Sequence, residues 1–193
     1  MFDFLKRKAE PEPVVVDPAV LLRAELVERV IQALGVADDD TVLEIGFGDA
    51  SALKAVLPFL SQGRVAGIET DPFRIRAAIS AFPAEYRSFR ADFKEGVASR
   101  IPYPDEHFTK VFALDSVTHW LSIPKGLEEV KRVLFPLGRV VFSLPPRDRE
   151  GGFAFVPVVE IKGLLQAGGF ENVEILKAPR PEASVIVMGQ KAF

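Results

Sequence analysis

A short glycine-bearing segment near position 45 constrains the fold of this 193-residue chain more than any other feature. The apolar run 42–45 carries one acidic residue, Glu44. It leads directly into Gly46 and Gly48, which lack a Cβ and so allow a sharp turn and a close approach to a ligand. The following residues, 51–60, have the composition of a helix, whose first free N–H groups face the same turn. The segment therefore predicts a buried strand, a tight turn and a helix that together hold a nucleotide.

The next strand signal ends in an acidic residue. Residues 65–69 are mostly apolar and end in Glu69, 23 positions after Gly46 (69 − 46). At that spacing a carboxylate can accept hydrogen bonds from ribose hydroxyls. A turn that binds nicotinamide or flavin dinucleotides would carry a third glycine at position 51, where this chain has Ser51. The two features together predict a nucleotide-containing ligand and argue against a dinucleotide.

Strand and helix signals alternate from residue 41 to the end of the chain. Such alternation predicts a mostly parallel sheet with helices on both faces. The predicted strands are 41–46, 64–69, 86–91, 110–115, 139–144, 172–176 and 184–189. The predicted helices are 17–34, 51–60, 71–82, 125–135 and 157–167. Because only the last two strands are joined without a helix, we expect them to form an antiparallel hairpin.

The acidic residue two places before the first glycine, Glu44, gives a pattern that resembles the class I S-adenosylmethionine-dependent methyltransferases. Later segments resemble that family in the same order, over about the last four-fifths of the chain. They are Glu69, the pair Asp92-Phe93, and the segments 101–108, 118–121, 127–139 and 168–171. Ala50 and Leu137 stand where many members carry glycine, and Thr109 stands where aspartate is common. The resemblance implies a Rossmann-like α/β fold, doubly wound, with a mostly parallel seven-stranded sheet and a C-terminal antiparallel hairpin.

The resemblance also implies S-adenosylmethionine as the cofactor. The residues expected to bind it are Glu44, Gly46, Gly48, Glu69, Asp92, Phe93 and Asp115. The backbone of Gly46 and Gly48 is expected to face the methionine end, Glu69 the ribose and Asp92 the adenine amino group. Glu44 is expected to hold the turn or the cofactor's amino group. For Phe93, stacking against adenine and plain core packing are both open.

The same family likeness points to residues on the acceptor side. His119 is expected to lie nearest the transferred methyl group, as a hydrogen-bonding group or general base, with a structural role as the alternative. Trp120 is expected to form a wall of the acceptor pocket, or to pack in the core. Phe153 lies in a glycine-bearing loop, 147–155, that could close over a substrate or serve as a solvated connector. Together with helix 17–34, this loop is expected to form the substrate lid.

Composition limits the other function classes. The chain has no cysteine and two histidines, so thiol chemistry is excluded and no metal site is expected. A formal charge of −3 gives no field that would gather nucleic acid. No transmembrane segment or secretion signal is evident, so a cytoplasmic location is expected. We expect a tail and linker at 1–13, in which Phe2 to Lys8 could tether the protein weakly to a membrane surface or partner, and one domain at 14–193.

The sequence thus predicts an enzyme that transfers a methyl group to the O, N or C atom of a small molecule. The alternative is a catalytically silent methyltransferase-like protein that acts as a binding partner or scaffold. An acidic overall balance and a short chain without a large inserted domain favour the enzyme. The basic N-terminal patch and the absence of an unambiguous catalytic group keep the scaffold open.

Overall fold

One mixed sheet organises the residues that the computed structural model describes, which are 17–145, 157–177, 179 and 183–193. Its seven strands are β1 (Thr41–Ile45), β2 (Arg64–Glu69), β3 (Ala91–Glu95), β4 (Phe108–Leu114), β5 (Leu134–Leu144), β6 (Phe170–Leu176) and β7 (Val185–Lys191). Their order across the sheet is β3-β2-β1-β4-β5-β7-β6. Strand β7 runs antiparallel to both β5 and β6, and the other pairs are parallel. The predicted parallel sheet with a C-terminal antiparallel hairpin is confirmed.

Helices cover both faces of this sheet. In the described part of the chain they are α1 (Pro18–Leu34), α2 (Ser51–Val56), α3 (Pro72–Ala81), α4 (Pro83–Arg87), α5 (Ile123–Val133) and α6 (Val158–Ala167), with 3₁₀ turns at Leu57–Phe59 and Val117–His119. Apolar side chains of α1, α2 and α3 form a core with one face of the sheet. Those of α5 and α6 form a second core with the other face. The architecture is therefore doubly wound, as expected.

Local chemistry sets the helix ends. The Asp17 carboxylate accepts the Ala19 N–H at 2.8 Å at the start of α1, and Gly35, with φ of 57°, ends that helix. Pro58 cannot donate a backbone hydrogen bond, and α2 accordingly stops at Val56 and continues as a 3₁₀ turn. The predicted starts of these two helices are confirmed, whereas the helix predicted to reach residue 60 ends at Val56.

The third strand was predicted in the wrong place. Residues 83–87 form the short helix α4, because Pro83 favours the first turn of a helix, and β3 begins only at Ala91. Ala91 and Phe93 are buried, while Asp92 and Lys94 are partly exposed. This alternation is the true strand signal. Asp92 and Phe93, which were predicted to follow the end of β3, are therefore the second and third residues of that strand.

Strand alternation in β1 determines the surroundings of its acidic residue. Val42 belongs to the core under α1 and α2, whereas Leu43 and Ile45 belong to the core under α5 and α6. Because side chains alternate along a strand, Glu44 shares the face of Val42. Glu44 is fully buried at 0% exposure. The acidic residue before the glycine turn thus lies beneath α1 and α2.

Two positions that depart from the family pattern adopt backbone conformations suited to glycine. Ala50, which precedes α2, has φ of 59°, and Leu137, in the first part of β5, has φ of 62°. Non-glycine residues rarely occupy this left-handed region, because their Cβ approaches the backbone. Ala50 is buried, but the side chain of Leu137 is 54% exposed. Leu137 therefore gains little from packing to offset its strained backbone.

Replacing that leucine with glycine is expected to stabilise the fold. Leu137→Gly should raise the free energy of unfolding by about 1 kcal/mol, because it relieves the left-handed strain. Leu121→Gly is the matched control, since Leu121 is 96% exposed and has no positive φ. It should leave stability unchanged or lower it. Urea unfolding of both variants tests this, and a loss of stability in Leu137→Gly would contradict it.

Candidate functional site

A pocket of about 720 Å³ opens at the carboxyl edge of the sheet, beside the ends of β1, β2 and β4. Strand order reverses here, with β2 and β3 on one side of β1 and β4 on the other. Open α/β sheets bind ligands at such reversals. The pocket is lined by Ile45, Gly46, Gly48, Ile68, Glu69, Thr70, Asp71, Arg74, Gly96, Val97, Ala98, Ser99, Leu114, Asp115, Ser116, His119, Trp120, Leu121 and, from α1, Arg23. Its volume is that of a site for a small ligand or cofactor.

The predicted glycine turn forms one wall of the pocket. Gly46 and Gly48 have φ of 73° and 58°, which glycine adopts without strain. The Gly46 N–H donates to the carbonyl of Ile68 at 2.8 Å. A Cβ added to Gly46 would lie 3.0 Å from the Cβ of Ser116. The turn is thus held between β2 and the end of β4, and its backbone lies open to the pocket.

Phe47 anchors this turn from the core side. It is 1% exposed and packs edge-on to Phe93, with ring centroids 5.3 Å apart. A Cβ at Gly67 in β2 would approach the Phe47 ring to 2.4 Å. Glycine at position 67 therefore provides the space in which Phe47 fixes the turn.

Glu69 lies at the end of β2, where the sequence predicted it. Its Oε2 accepts the Gly48 N–H at 3.0 Å, and its Oε1 accepts the Thr70 N–H at 2.8 Å. Oε1 also accepts the Thr70 hydroxyl at 3.2 Å. Since a carboxylate has about four acceptor positions, two on each oxygen, a further hydrogen bond remains available on Oε2. The structure thus brings Glu69 and the glycine turn together in one pocket.

Glu44 is the most unusual group near the site. Neither of its carboxylate oxygens has a hydrogen-bond partner among the described residues. Burial raises the pKa of Glu44 well above its ordinary value, the Arg23 charge lowers it, and the charges of Asp49 and Glu69 raise it. A buried carboxyl without a partner is costly, and such groups are concentrated at functional sites.

Asp92 does not reach this pocket, which corrects the prediction from sequence. It lies in the second position of β3, where its carboxylate accepts the Tyr103 hydroxyl at 3.0 Å and pairs with Lys94 at 3.3 Å. It lines a different cavity, of about 450 Å³, together with Thr41 and Arg64, the first residues of β1 and β2. Because β3 starts later than predicted, Asp92 lies toward the amino edge of the sheet.

Phe93 is a core residue and not a wall of the pocket. It is 5% exposed and packs edge-on against Phe47 and Phe82 at 5.3 and 5.2 Å. Of the two roles left open by the sequence, the structure shows packing. The residues that follow β3 and line the pocket are Gly96, Val97 and Ala98. No sequence pattern identified these three residues as part of the pocket, since their position depends on where β3 ends.

Asp115 lines the pocket from the end of β4 and is firmly held there. Its Oδ1 accepts the Ser143 hydroxyl at 2.7 Å, and its Oδ2 accepts the Ser184 hydroxyl at 3.4 Å. Its backbone is left-handed, with φ of 53°. Asp115 also lines a small cavity of about 70 Å³ beneath α1, together with Arg23 and Arg29. The residue therefore joins the pocket to the space below α1.

His119 and Trp120 both line the pocket, as predicted, but in different surroundings. His119 ends a 3₁₀ turn and is exposed. Trp120 packs edge-on to Phe142 at 5.4 Å, and a Cβ at Gly126 would approach its ring to 2.4 Å. Trp120 thus contributes both to the pocket and to the core under α5.

Some predictions concern residues or features beyond this site. Phe153 and the loop 147–155 lie outside the described residues, as does the segment from Phe2 to Lys8. Among the residues that the structure describes, no group of three or more histidine or acidic side chains could hold a metal ion. None of the helices described is long and apolar enough to cross a bilayer.

Arg23 is a further site residue that sequence analysis missed. It projects from α1 into the pocket, about twenty positions before the glycine turn in sequence. The available signal was a single arginine among apolar residues at the start of a helix, which is common on any amphipathic helix. Only the packing of α1 above β4 and β5 brings this charge to the carboxyl edge.

Comparisons with known proteins agree with this geometry. The family described as "Methyltransferase domain" matches residues 43–142, just over half of the chain. The uncharacterized methyltransferase YdaC of Bacillus subtilis (strain 168) is 26% identical over 83% of this chain and 88% of its own length. Erythromycin 3''-O-methyltransferase of Saccharopolyspora erythraea is 31% identical over an aligned region that covers 66% of this chain and 42% of that relative.

A solved structure shows the same fold. A SAM-dependent methyltransferase from Aquifex aeolicus superposes with a TM-score of 0.76 at 21% identity, covering 90% of this chain and 93% of that one. The glycine turn, Glu69 and the family match at 43–142 all fall in the same part of the chain. The chain belongs to the methyltransferase domain family and is a class I S-adenosylmethionine-dependent methyltransferase.

Proposed function

We propose that this methyltransferase acts on a small-molecule acceptor, at an O, N or C atom, and not on nucleic acid. The observation that carries the proposal is one pocket of about 720 Å³ that combines the partly exposed glycine turn, Glu69 and the exposed residue His119. A net charge of −3 gives no attraction for nucleic acid. The name of one relative, erythromycin 3''-O-methyltransferase, gives a small-molecule acceptor for that protein.

The residues that would hold the cofactor follow from the geometry of the pocket. We assign the ribose to Glu69, whose Oε2 retains a free acceptor position. The amino-acid end is assigned to the Gly46 and Gly48 backbone. The adenine is assigned to the segment 96–98, which replaces Asp92 in this role because it follows β3 into the pocket.

Buried Glu44 supports this orientation. Its two oxygens lack hydrogen-bond partners among the described residues, and it lies two positions before the first glycine of the turn. The amino-acid end of S-adenosylmethionine carries an ammonium group, which would compensate a negative charge held beneath the turn. The energetic cost of burying Glu44 therefore has a functional explanation if the cofactor lies above it.

Catalysis requires little further chemistry from the protein. When bound, S-adenosylmethionine supplies a methyl group activated by a positively charged sulfur. The chain's own contribution is to align an acceptor atom with that group and to exclude water. His119 is proposed to orient the acceptor or to take its proton, and Asp115 to hold the pocket wall at the end of β4. Trp120 is proposed to limit the acceptor space, and Phe153 remains a predicted substrate contact.

The assignment of the ribose to Glu69 predicts a specific loss of affinity. Glu69→Ala should weaken binding of S-adenosylhomocysteine about 10- to 100-fold, because the ribose hydroxyls lose a charged acceptor worth about 1.5–3 kcal/mol. Asp92→Asn is the control, since it removes one carboxylate charge from β3 at the other edge of the sheet. Titration calorimetry should show wild-type affinity for Asp92→Asn. The assignment is wrong if Asp92→Asn weakens binding and Glu69→Ala does not.

The burial of Glu44 predicts opposite effects on stability and binding. Because the pKa of Glu44 is raised in the folded state, protonation of this carboxyl favours folding. This stabilising effect is lost as the pH rises from about 4.3, the ordinary pKa of glutamate, through the raised pKa. Glu44→Gln cannot ionise. It should therefore be more stable than the wild type at neutral pH, by a margin that grows with pH, while binding S-adenosylhomocysteine more weakly.

Urea unfolding between pH 5 and 8 measures this difference. Subtracting the wild-type profile from that of Glu44→Gln isolates the contribution of one carboxyl, because both proteins share every other titrating group. Parallel profiles for the two proteins would show that Glu44 does not carry an elevated pKa.

A turnover experiment tests the proposed function itself. The full chain with methyl-labelled S-adenosylmethionine and a panel of small hydroxyl, amine and activated-carbon acceptors should release S-adenosylhomocysteine and transfer the label to at least one acceptor. Lack of turnover on the whole panel, together with one protein partner recovered in stoichiometric amount, would favour the scaffold alternative.

A further inference from the structure

The two halves of α1 differ in how they are held. From Leu26 to Leu34 the helix places five buried residues in the core, at positions 26, 27, 30, 33 and 34. None of the residues described from Asp17 to Glu25 is buried, and Val20 and Leu21 are 58% and 55% exposed. The first half of α1 therefore extends past the core, over the carboxyl edge of the sheet, with little apolar packing to fix it.

The two arginines of α1 also differ. The Arg29 guanidinium donates to the carbonyls of Ser184 at 2.8 Å and Lys177 at 3.1 Å, so it ties the helix to the end of β6 and the start of β7. Arg23 lies in the projecting half and lines the cofactor pocket. Among the residues that the structure describes, no carboxylate lies within 4.0 Å of its guanidinium. Its strong hydrogen-bonding capacity is thus available to a ligand.

The electrostatic surroundings of Arg23 match one end of the cofactor. Its charge acts on both Glu44 and Asp49, since it lowers the pKa of each against the opposing effect of burial. The Arg23 charge in the pocket wall thus partly offsets that of a fully buried carboxyl, which has no hydrogen-bond partner in the described part of the chain. This pairing complements a zwitterion, with the ammonium toward Glu44 and the carboxylate toward Arg23. The amino-acid end of S-adenosylmethionine is such a group.

We propose that Arg23 binds the carboxylate of the cofactor's amino-acid end and thereby fixes the projecting half of α1 over the pocket. This inference rests on the proposed orientation of the cofactor. It makes α1 a lid whose position depends on the amino-acid end of the ligand and not on its adenosine. Residues 18–25 should accordingly be less protected from hydrogen exchange when the carboxylate contact is missing.

Two ligands that differ by one group test the contact. S-adenosylhomocysteine carries the carboxylate, and decarboxylated S-adenosylhomocysteine keeps the ammonium and the adenosine without it. In calorimetry, the wild type should bind the first ligand 10- to 100-fold more tightly, as expected for a charge-assisted hydrogen bond. Arg23→Gln should bind the two ligands within about threefold of each other, since the interaction partner is removed.

Two further variants separate the contact from general effects. Lys54→Gln removes one exposed positive charge from α2, outside the pocket, and should keep the wild-type preference. Arg23→Lys keeps the charge and should retain part of that preference. If Arg23→Gln preserves the full preference for the carboxylate, or weakens both ligands equally, the proposal is overturned. A wild type that binds neither ligand would instead contradict the cofactor assignment itself.

Hydrogen exchange tests the consequence for α1. S-adenosylhomocysteine should protect residues 18–25 of the wild type, and the decarboxylated ligand should protect the glycine turn without protecting them. Arg23→Gln should lose the protection of 18–25 with either ligand. Equal protection of 18–25 by both ligands in the wild type would show that α1 does not respond to the carboxylate.

Discussion

The pocket depends on the contact between Glu69 and the Gly48 N–H, which join at 3.0 Å. Together with the bond from the Gly46 N–H to Ile68, it ties the turn after β1 to the last residues of β2. Phe47 completes the arrangement from the core side, in space that Gly67 leaves free. One carboxylate thus shapes the turn and also offers acceptor positions to a ligand. The proposed binding of the ribose at Glu69 would therefore be coupled to the local structure of the turn.

A second feature of the site is a buried carboxyl that is costly for folding. Glu44 is completely buried on the face of β1 that packs under α1 and α2, without a hydrogen-bond partner in the described residues. An apolar residue there would pack at lower cost. The nearby Arg23 charge offsets part of this cost and at the same time leaves the cation facing the pocket. Under the proposed orientation of the cofactor, Glu44 and Arg23 would together complement its zwitterionic end.

Much of this could be predicted from sequence because the signals are local. The glycine turn, Glu69 and the order of strands and helices follow from spacing and periodicity within short windows. The error at β3 was also local, since Pro83 starts a helix where a strand was predicted. A shift of about four residues then moved Asp92 to the opposite edge of the sheet and Phe93 into the core. The site residues 96–98 were missed for the same reason.

Arg23 could not be predicted by such reasoning. Its place in the site depends on how α1 crosses the sheet, and no short pattern in the sequence encodes that packing. The exposure of the first half of α1, contrasted with its buried second half, is likewise a property of the tertiary structure. Residues that reach a site from a distant element require the fold before they can be recognised.

The position of the adenosine is the central claim, and a crystal structure of the full chain with S-adenosylhomocysteine measures it directly. The account predicts ribose hydroxyls within hydrogen-bonding distance of the Glu69 carboxylate and adenine against residues 96–98. Adenosine bound away from Glu69, or in the cavity that Asp92 and Tyr103 line at the amino edge of the sheet, would contradict it.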